Sequence, residues 1–345
     1  MRRDQIDRLL SEGKFPKVTE LRQLVETHIS WVILCDRFVY KIKRPIKYSF
    51  LDFSTLELRK HFCERELELN QRMSTDMYQE VLPIYESNEV YTIGGDGDAL
   101  VDYALKMRKL DSQRQMDVLV AKNKVSTADI KNLAQRIAIF HKTTNIIFKK
   151  NVLDVKEKFN ALSEEKEFLT EHLNENIGNR IDIAIQISNA FLDQNKALLD
   201  ERLKNGFFRD CHGDLHTRNI FLLPEPQPFD CIEFNDDYRQ IDVLNEVAFL
   251  CMDLDAWGRK DLSDMFIEQY NKVFPTIRNE AEYQLFVYFK SYRANVRAKV
   301  NSLRAKSASD KASKMRALAE LEKYLKLMES YVELLRRTAL THLNR

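Results

Sequence analysis

The sequence predicts an α+β protein in two parts: a small β-rich part of ~105 residues, then a large and mostly helical part. Three observations predict it. Runs rich in β-branched and aromatic residues fill 29–43, 81–93 and 99–107, with one long helical pattern, 54–73, among them. Beyond residue 130 helical spacing dominates and breakers are few. A single short β segment, 219–234, interrupts those helices. The division is drawn after residue 107, giving parts 1–107 and 108–345.

Taken in order, the first ~25 residues read as a polar amphipathic helix and a connector. Residues 29–43 form a hairpin turning at Cys35-Asp36-Arg37, and Pro45 ends its second strand. The helix of 54–73 starts at an N-cap, Ser54 or Thr55. Residues 81–93 and 99–107 are further strands around the Gly-rich turn 94–98. Residues 130–141 place Leu133, Ile137 and Phe140 on one helical face. The charged stretch 155–204 is helix-like, and its part from 164 onward is expected to be a solvated face. In 219–234 a Pro-rich turn, 224–228, separates two short strands. Helices resume from Ile241, and 311–338 is one long amphipathic helix.

Composition excludes several classes. Lys+Arg is 54 against Asp+Glu 53, so the basic excess of a general nucleic-acid binder is missing. No apolar run approaches the ~20 residues that span a bilayer, and the N-terminus lacks the apolar core of a signal peptide. Five scattered cysteines, none in a C-x-x-C pair, argue against a disulfide framework and for a reducing, cytoplasmic setting. No G-x-x-x-x-G-K-[ST] and no G-x-G-x-x-G occurs, so a nucleotide must have its phosphates held another way.

The chemistry is concentrated in Cys211-His212-Gly213-Asp214-Leu215-His216-Thr217-Arg218-Asn219-Ile220. Asp214 and Asn219 stand at the spacing of the kinase loop H-R-D-x-x-x-x-N. Such an Asp accepts the proton of a phosphoryl acceptor, and such an Asn ligates Mg²⁺. The β segment that follows ends near Glu233, a second hard oxygen ligand of the kind Mg²⁺ prefers. The plainer reading of Asp214 and Asn219 is a capped turn. His212 and His216, at i and i+4, lack the Glu that a zinc helix carries beside its first His. His212 reads better as a brace of the loop, and His216 as a neighbour of phosphates or substrate.

These words, with Thr27-His28-Ile29-Ser30-Trp31-Val32, Tyr40-Lys41-Ile42-Lys43-Arg44-Pro45, Phe50-Leu51-Asp52-Phe53-Ser54-Thr55-Leu56-Glu57 and Ile232-Glu233-Phe234-Asn235-Asp236, resemble the aminoglycoside phosphotransferase-like (choline kinase-like) branch of the protein kinase fold. The likeness is closest to a bacterial subgroup often fused to a P-loop kinase domain. It covers most of the chain from residue 26 to about 300. It implies a protein kinase-like two-lobed fold with a small β-rich N-lobe and a large helical C-lobe. It also implies ATP (or GTP) and Mg²⁺ as cofactors, a small hydroxylated substrate, and association with a P-loop kinase partner.

The resemblance assigns roles to particular positions. Lys41 is the strand lysine that contacts the α/β-phosphates; its alternative is an exposed strand lysine beside Lys43 and Arg44. Its partner is expected to be Glu66, which shares a helical face with Phe62, Leu69 and Met73, whereas Glu64 points away. Glu233 stands where a metal-binding Asp is expected, and Asp236 is the fallback ligand. His28 and Ser30, in a loop without glycines, take the place of a Gly-rich phosphate loop. Met107 to Leu110 form the hinge that reads adenine. Asp242 resembles the helical Asp that braces the catalytic loop. Asp253, Asp255 and Glu246 on one side and Arg293 and Arg297 on the other are candidates for the substrate pocket. The two arginines divide evenly between a substrate contact and an internal salt bridge to Asp253 or Asp255. The set is too mixed in charge for a polyamine pocket, so a sugar, sugar acid or other hydroxylated metabolite stays open. Two functions compete: small-molecule phosphotransferase, or nucleotide-binding regulatory module without turnover. A protein kinase is disfavoured, because D-F-G and A-P-E are absent.

Overall fold

Successive side chains of a strand point to opposite faces. Along residues 38–43 this sends Tyr40 and Ile42 into one buried face and leaves Val39, Lys41 and Lys43 to share the other. The computed structural model describes residues 1–48, 51–74 and 76–343, with side chains described through residue 337; Phe50 lies outside the described residues. The strands are β1 (Gln23–Glu26), β2 (Ser30–Leu34) and β3 (Phe38–Lys43), a separate two-stranded ribbon of β4 (Lys47–Tyr48) and β5 (Leu51–Asp52), then β6 (Tyr78–Ser87), β7 (Val90–Ile93) and β8 (Ala99–Arg108). Six of them form one antiparallel sheet in the order β1-β2-β3-β8-β6-β7. Lys41 pairs with Val32 on one side and Leu105 on the other.

The described chain forms two units. The first comprises Met1–Leu119 with Arg218–Arg239, and the second Val120–Thr217 with the chain from Gln240 onward. Segment 218–239 thus groups with the N-terminal residues. In the first unit, α1 (Arg3–Glu12) lays Ile6 and Leu9 on a core with Trp31, Ile33, Tyr40, Ile42, Ile84 and Ile93. The second sheet face carries Val39, Leu105 and Met107 together with Met77, Tyr78 and Phe221. α2 (Leu56–Gln71) begins at Thr55, whose side chain accepts from the Leu58 N–H, one of the donors a helix start leaves unpaired. The chain leaves the first unit through α3 (Met116–Ala121).

In the second unit, α4 (Thr127–Thr143) opens on a reciprocal Ser126–Asp129 capping box. The stretch read from sequence as helix-like is α5 (Asp154–Asn160), α6 (Lys166–His172), α7 (Ile177–Gln194) and α8 (Lys196–Lys204). Two of the three breaks fall at asparagines 174, 176 and 195, whose side chains offer the backbone alternatives to helix. α9 (Val243–Ala256) is buried from Val243 to Leu254 and packs against α10 (Lys260–Val273) and α11 (Glu280–Ser307), which lies along α12 (Lys311–Leu343). A two-stranded ribbon, Phe208–Asp210 against Gln240–Asp242, ties the strand entering the 211–217 loop to the start of α9.

Two sequence expectations change here. The span 81–93 is two strands, because Asn88 and Glu89 take positive φ (50° and 66°) and reverse the chain between β6 and β7. Asn is among the few residues that tolerate this region, and paired positive φ makes the turn that suits a hairpin. The segment after Asn219 is a shorter hairpin, Ile220–Phe221 with Gln227–Pro228, and 229–234 is not a strand. The ladder ends at Pro228, and Asp230, two residues on, departs from strand geometry with φ 64°. No helix among the described residues is long and apolar enough to cross a membrane.

Thr55→Ala removes the α2 cap without touching the core. It is expected to cost about 1 kcal/mol, read as a lower urea midpoint at unchanged m-value.

Candidate functional site

In the first unit the functional side chains form an alternating chain of charges. The Lys41 ammonium lies 2.7 Å from Glu66 Oε1 and 2.6 Å from Asp230 Oδ1. The Lys43 ammonium lies 2.7 Å from Glu66 Oε2 and pairs closely with Glu233. The sequence Asp230–Lys41–Glu66–Lys43–Glu233 thus holds three carboxylates and two ammoniums. Lys43 and Glu66 are fully buried, while the Asp230 side chain is 45% exposed. Burial disfavours charge here, and for Lys41, Lys43 and Glu66 the partners override it. Asp230 and Glu66 hold Lys41 well above the usual lysine range, and Glu233 and Glu66 raise Lys43. The two lysines hold Glu66 down to about 2. Burial, reinforced by Glu66, pushes Glu233 up despite Lys43.

Each member is placed by its element. Lys41 and Lys43 are two residues apart on β3 and so share its face. Glu66 is on the buried side of α2, and Glu64 is exposed. The end of α2 and the residues after it then fix the hairpin exit. Asn70 Oδ1 accepts from Cys231 N at 2.9 Å, the Tyr78 hydroxyl accepts from Asp230 N at 3.0 Å, and the Ser74 hydroxyl donates to the Pro228 carbonyl. Phe229 N donates to the Asn219 carbonyl at 2.9 Å, which sets Asn219 beside the same hairpin. Val32, Val39, Leu105, Met107, Leu110, Phe221 and Phe229 form an apolar cluster on the sheet face that bears the lysines.

In the second unit the loop carrying Asp214 is anchored by its backbone. Glu246, in the first turns of α9 and fully buried, accepts from His212 N at 2.7 Å and from Gly213 N at 3.0 Å. Gly213 has φ 90°, a conformation in which a side chain is strained. Its carbonyl accepts from Arg293 Nη1 at 3.2 Å, and Arg293 Nε donates to Asn245 Oδ1 at 2.7 Å. His212 Nδ1 accepts from Asp214 N at 3.2 Å. The Asp214 carboxylate is 36% exposed and lies 3.3 Å from His216 Nε2. Burial opposes its charge, but His216, Arg297 and His212 hold it well below the usual carboxylate range. Asp253 accepts from Thr217 N at 3.0 Å, the Thr217 hydroxyl at 2.6 Å and the Tyr324 hydroxyl at 3.0 Å.

Other sequence-selected residues lie elsewhere. Asp242 is not the loop brace: it caps α9 and pairs with Arg202 at 2.6 Å, and Glu246, one turn on, braces the loop. Asp236 binds Arg239 at 2.6 Å and among the described residues forms no ion pair with the charge chain. Asp255 pairs with Lys290 and the Tyr331 hydroxyl rather than with either arginine. Arg293 and Arg297 are more buried than Val296 and Val300, which the sequence pattern placed in the apolar stripe. His28 is exposed in the turn between β1 and β2, and Ser30 is buried with its hydroxyl lacking a hydrogen-bond partner among the described residues. Sequence reasoning missed Lys43 and Asp230. The period of two along β3 was the available signal for Lys43.

No family model matches the chain. It is 30% identical over 296 residues to "Uncharacterized protein Rv2004c" of Mycobacterium tuberculosis and, to the same degree, "Uncharacterized protein Mb2027c" of Mycobacterium bovis. That match covers 84% of this chain and 56% of those proteins, so the chain spans little more than half the length of these relatives. Among solved structures it is similar to an ethanolamine kinase of Plasmodium vivax, with TM-score 0.51 at 10% identity, covering 90% of this chain and 83% of that one. It is also similar to a choline/ethanolamine kinase family protein of Mesorhizobium loti, with TM-score 0.51 at 12% identity, covering 96% and 100%. The chain has the mixed α/β, kinase-like fold of these structures, with a β-sheet N-lobe and a helical C-terminal part.

Glu66 ties this site to acid stability. Its folded pKa, about 2, lies below the ordinary 4.5, so its contribution is complete above pH 4.5 and fades as pH falls toward 2. Glu66→Gln is expected to lose about 3–5 kcal/mol at pH 7, because it leaves two buried ammoniums facing a neutral amide. Its urea midpoint should then fall less steeply than that of the wild type between pH 4.5 and 2.

Proposed function

We propose that the chain is an ATP-dependent phosphotransferase of the choline kinase-like and aminoglycoside phosphotransferase-like group, acting on a hydroxyl of a small molecule. The observation that carries this is the Asp230–Lys41–Glu66–Lys43–Glu233 chain beside an apolar cluster on one sheet face. Three carboxylates against two ammoniums leave this chain one negative charge in excess, which a divalent cation carrying phosphates would balance. In this proposal the phosphates meet the two lysines through that cation, and the cluster around Val39, Leu105 and Met107 suits a planar base. Leu110 and the backbone after Met107 read the base in this proposal, and Ser30 and His28 flank the phosphates.

The donor set fits a hard divalent cation. Asn219 supplies an amide, and Asp230 and Glu233 supply carboxylates already held by lysines. Bound there, Mg²⁺ would neutralise charge on the phosphates. The remaining work falls to the chain. Lys41 and Lys43 orient the phosphates, and Glu66 fixes both ammoniums. Asp214 stays anionic and accepts the proton of the acceptor hydroxyl as the acceptor oxygen bonds to the γ-phosphorus and the β–γ bridge breaks, releasing ADP. Glu246 and Arg293 act through the loop backbone, as positioning residues. The P-loop kinase partner and the cytoplasmic setting belong to the same proposal and rest on the sequence reading alone.

ATP consumption with a panel of hydroxylated metabolites tests it. Wild type should turn over with Mg²⁺ and stop on chelation. Asp214→Asn should lose about 10²–10⁴-fold in kcat while still binding ADP. Lys41→Met should weaken ADP binding as well. Nucleotide binding without any Asp214-dependent turnover would sink phosphoryl transfer and leave a regulatory module.

A further inference from the structure

Arg297 lies on α11 and is 5% exposed. Its Nε has no hydrogen-bond partner, and no carboxylate forms an ion pair with its guanidinium among the described residues. What it has is Tyr324, whose ring lies 5.3 Å from the guanidinium carbon and whose hydroxyl also interacts with the guanidinium, leaving most of its donors to other partners. An arginine cannot shed its charge and carries five N–H donors. Left buried and under-bonded, it costs the fold free energy. Asp253, a carboxylate that acts on its charge, has both oxygens engaged by Thr217 and Tyr324. His216, beside Asp214, also buries its Nδ1 without a partner among the described residues. Arg297 nevertheless acts electrostatically on both Asp214 and Asp253. By contrast Arg293, one turn earlier, is fully committed to the Gly213 carbonyl and Asn245.

We propose that Arg297, with His216 beside it, receives an anionic group of the acceptor, a carboxylate or phosphate carried near the hydroxyl that Asp214 deprotonates. The inference rests on the phosphotransferase reading for the role of Asp214, and names the substrate class within it. A guanidinium meets either anion with paired N–H donors. The same buried cation repels an ammonium-bearing acceptor, so this chain selects against amino alcohols and polyamines. Hydroxy acids and phosphorylated alcohols are the class that fits.

The test uses the full chain and inorganic phosphate as the minimal probe. Melting temperature is followed at constant ionic strength in wild type, Arg297→Lys and Arg297→Met, with and without saturating ADP–Mg²⁺. ADP is titrated first; its failure to raise the melting point would count against the nucleotide reading, whereas the phosphate titration would still report on Arg297. Phosphate should raise the wild-type melting point saturably with ADP–Mg²⁺ present, and ethanolamine should not. Arg297→Met should bind phosphate about 10- to 100-fold more weakly. Without phosphate it should melt no lower than wild type, since an under-bonded buried charge is gone. Should Arg297→Met not unfold cooperatively, Arg297→Lys carries the comparison, with an intermediate affinity. Equal phosphate affinity in wild type and the variants, no wild-type response, or a response to ethanolamine instead would overturn the proposal. So would destabilised Arg297 variants with unchanged phosphate binding, the result of a merely structural arginine.

Discussion

One carboxylate shared by two lysines organises the first unit. Each oxygen of Glu66 holds one ammonium, and each ammonium holds a further carboxylate from the hairpin segment. Three elements remote in sequence are thereby fixed together: β3, α2 and residues 230–233. Buried ion pairs gain little net free energy over apolar packing, because desolvation offsets the attraction. Their value lies in geometry. None of the partners can leave without stranding a charge, so the spacing of the lysines is held before anything binds.

The second unit solves the same problem with backbone rather than side-chain charge. Glu246 accepts two consecutive loop N–H groups, and Arg293 donates to the carbonyl that follows. Charge-assisted bonds of this kind are the strong ones. They sit on α9, which is buried along most of its length, so the loop inherits the rigidity of the core. Asp214 is left partly open at the end of that anchored turn.

Much of this was legible in the sequence. Strand period, an N-cap at Ser54 or Thr55 and the spacing of Asp214 to Asn219 located the sheet, the long helix and the loop, and the structure selects Thr55 as the cap. The face shared by Phe62, Leu69 and Met73 singled out Glu66 over Glu64. The misses have physical causes. Lys43 looked like one of several surface cations because burial of a charge depends on partners about 20 and 190 residues away, which no local pattern records. Asp242 and Glu246 are one helical turn apart, so the same helix face offered both, and tertiary pairing with Arg202 decided which was spent elsewhere. Asp230 was hidden because the hairpin stops at Pro228, two residues before it, and its positive φ departs from the strand that the sequence suggests there.

The anchoring of His212 and Gly213 by Glu246 also sets how this region can come apart. Their amide protons point at a carboxylate sealed inside a core helix, so solvent reaches them only when α9 itself lets go. Isotope exchange at these two positions therefore belongs to the slowest class, governed by cooperative unfolding of the helical unit rather than by loop breathing. A segment without regular secondary structure is in this sense among the most protected stretches of the molecule.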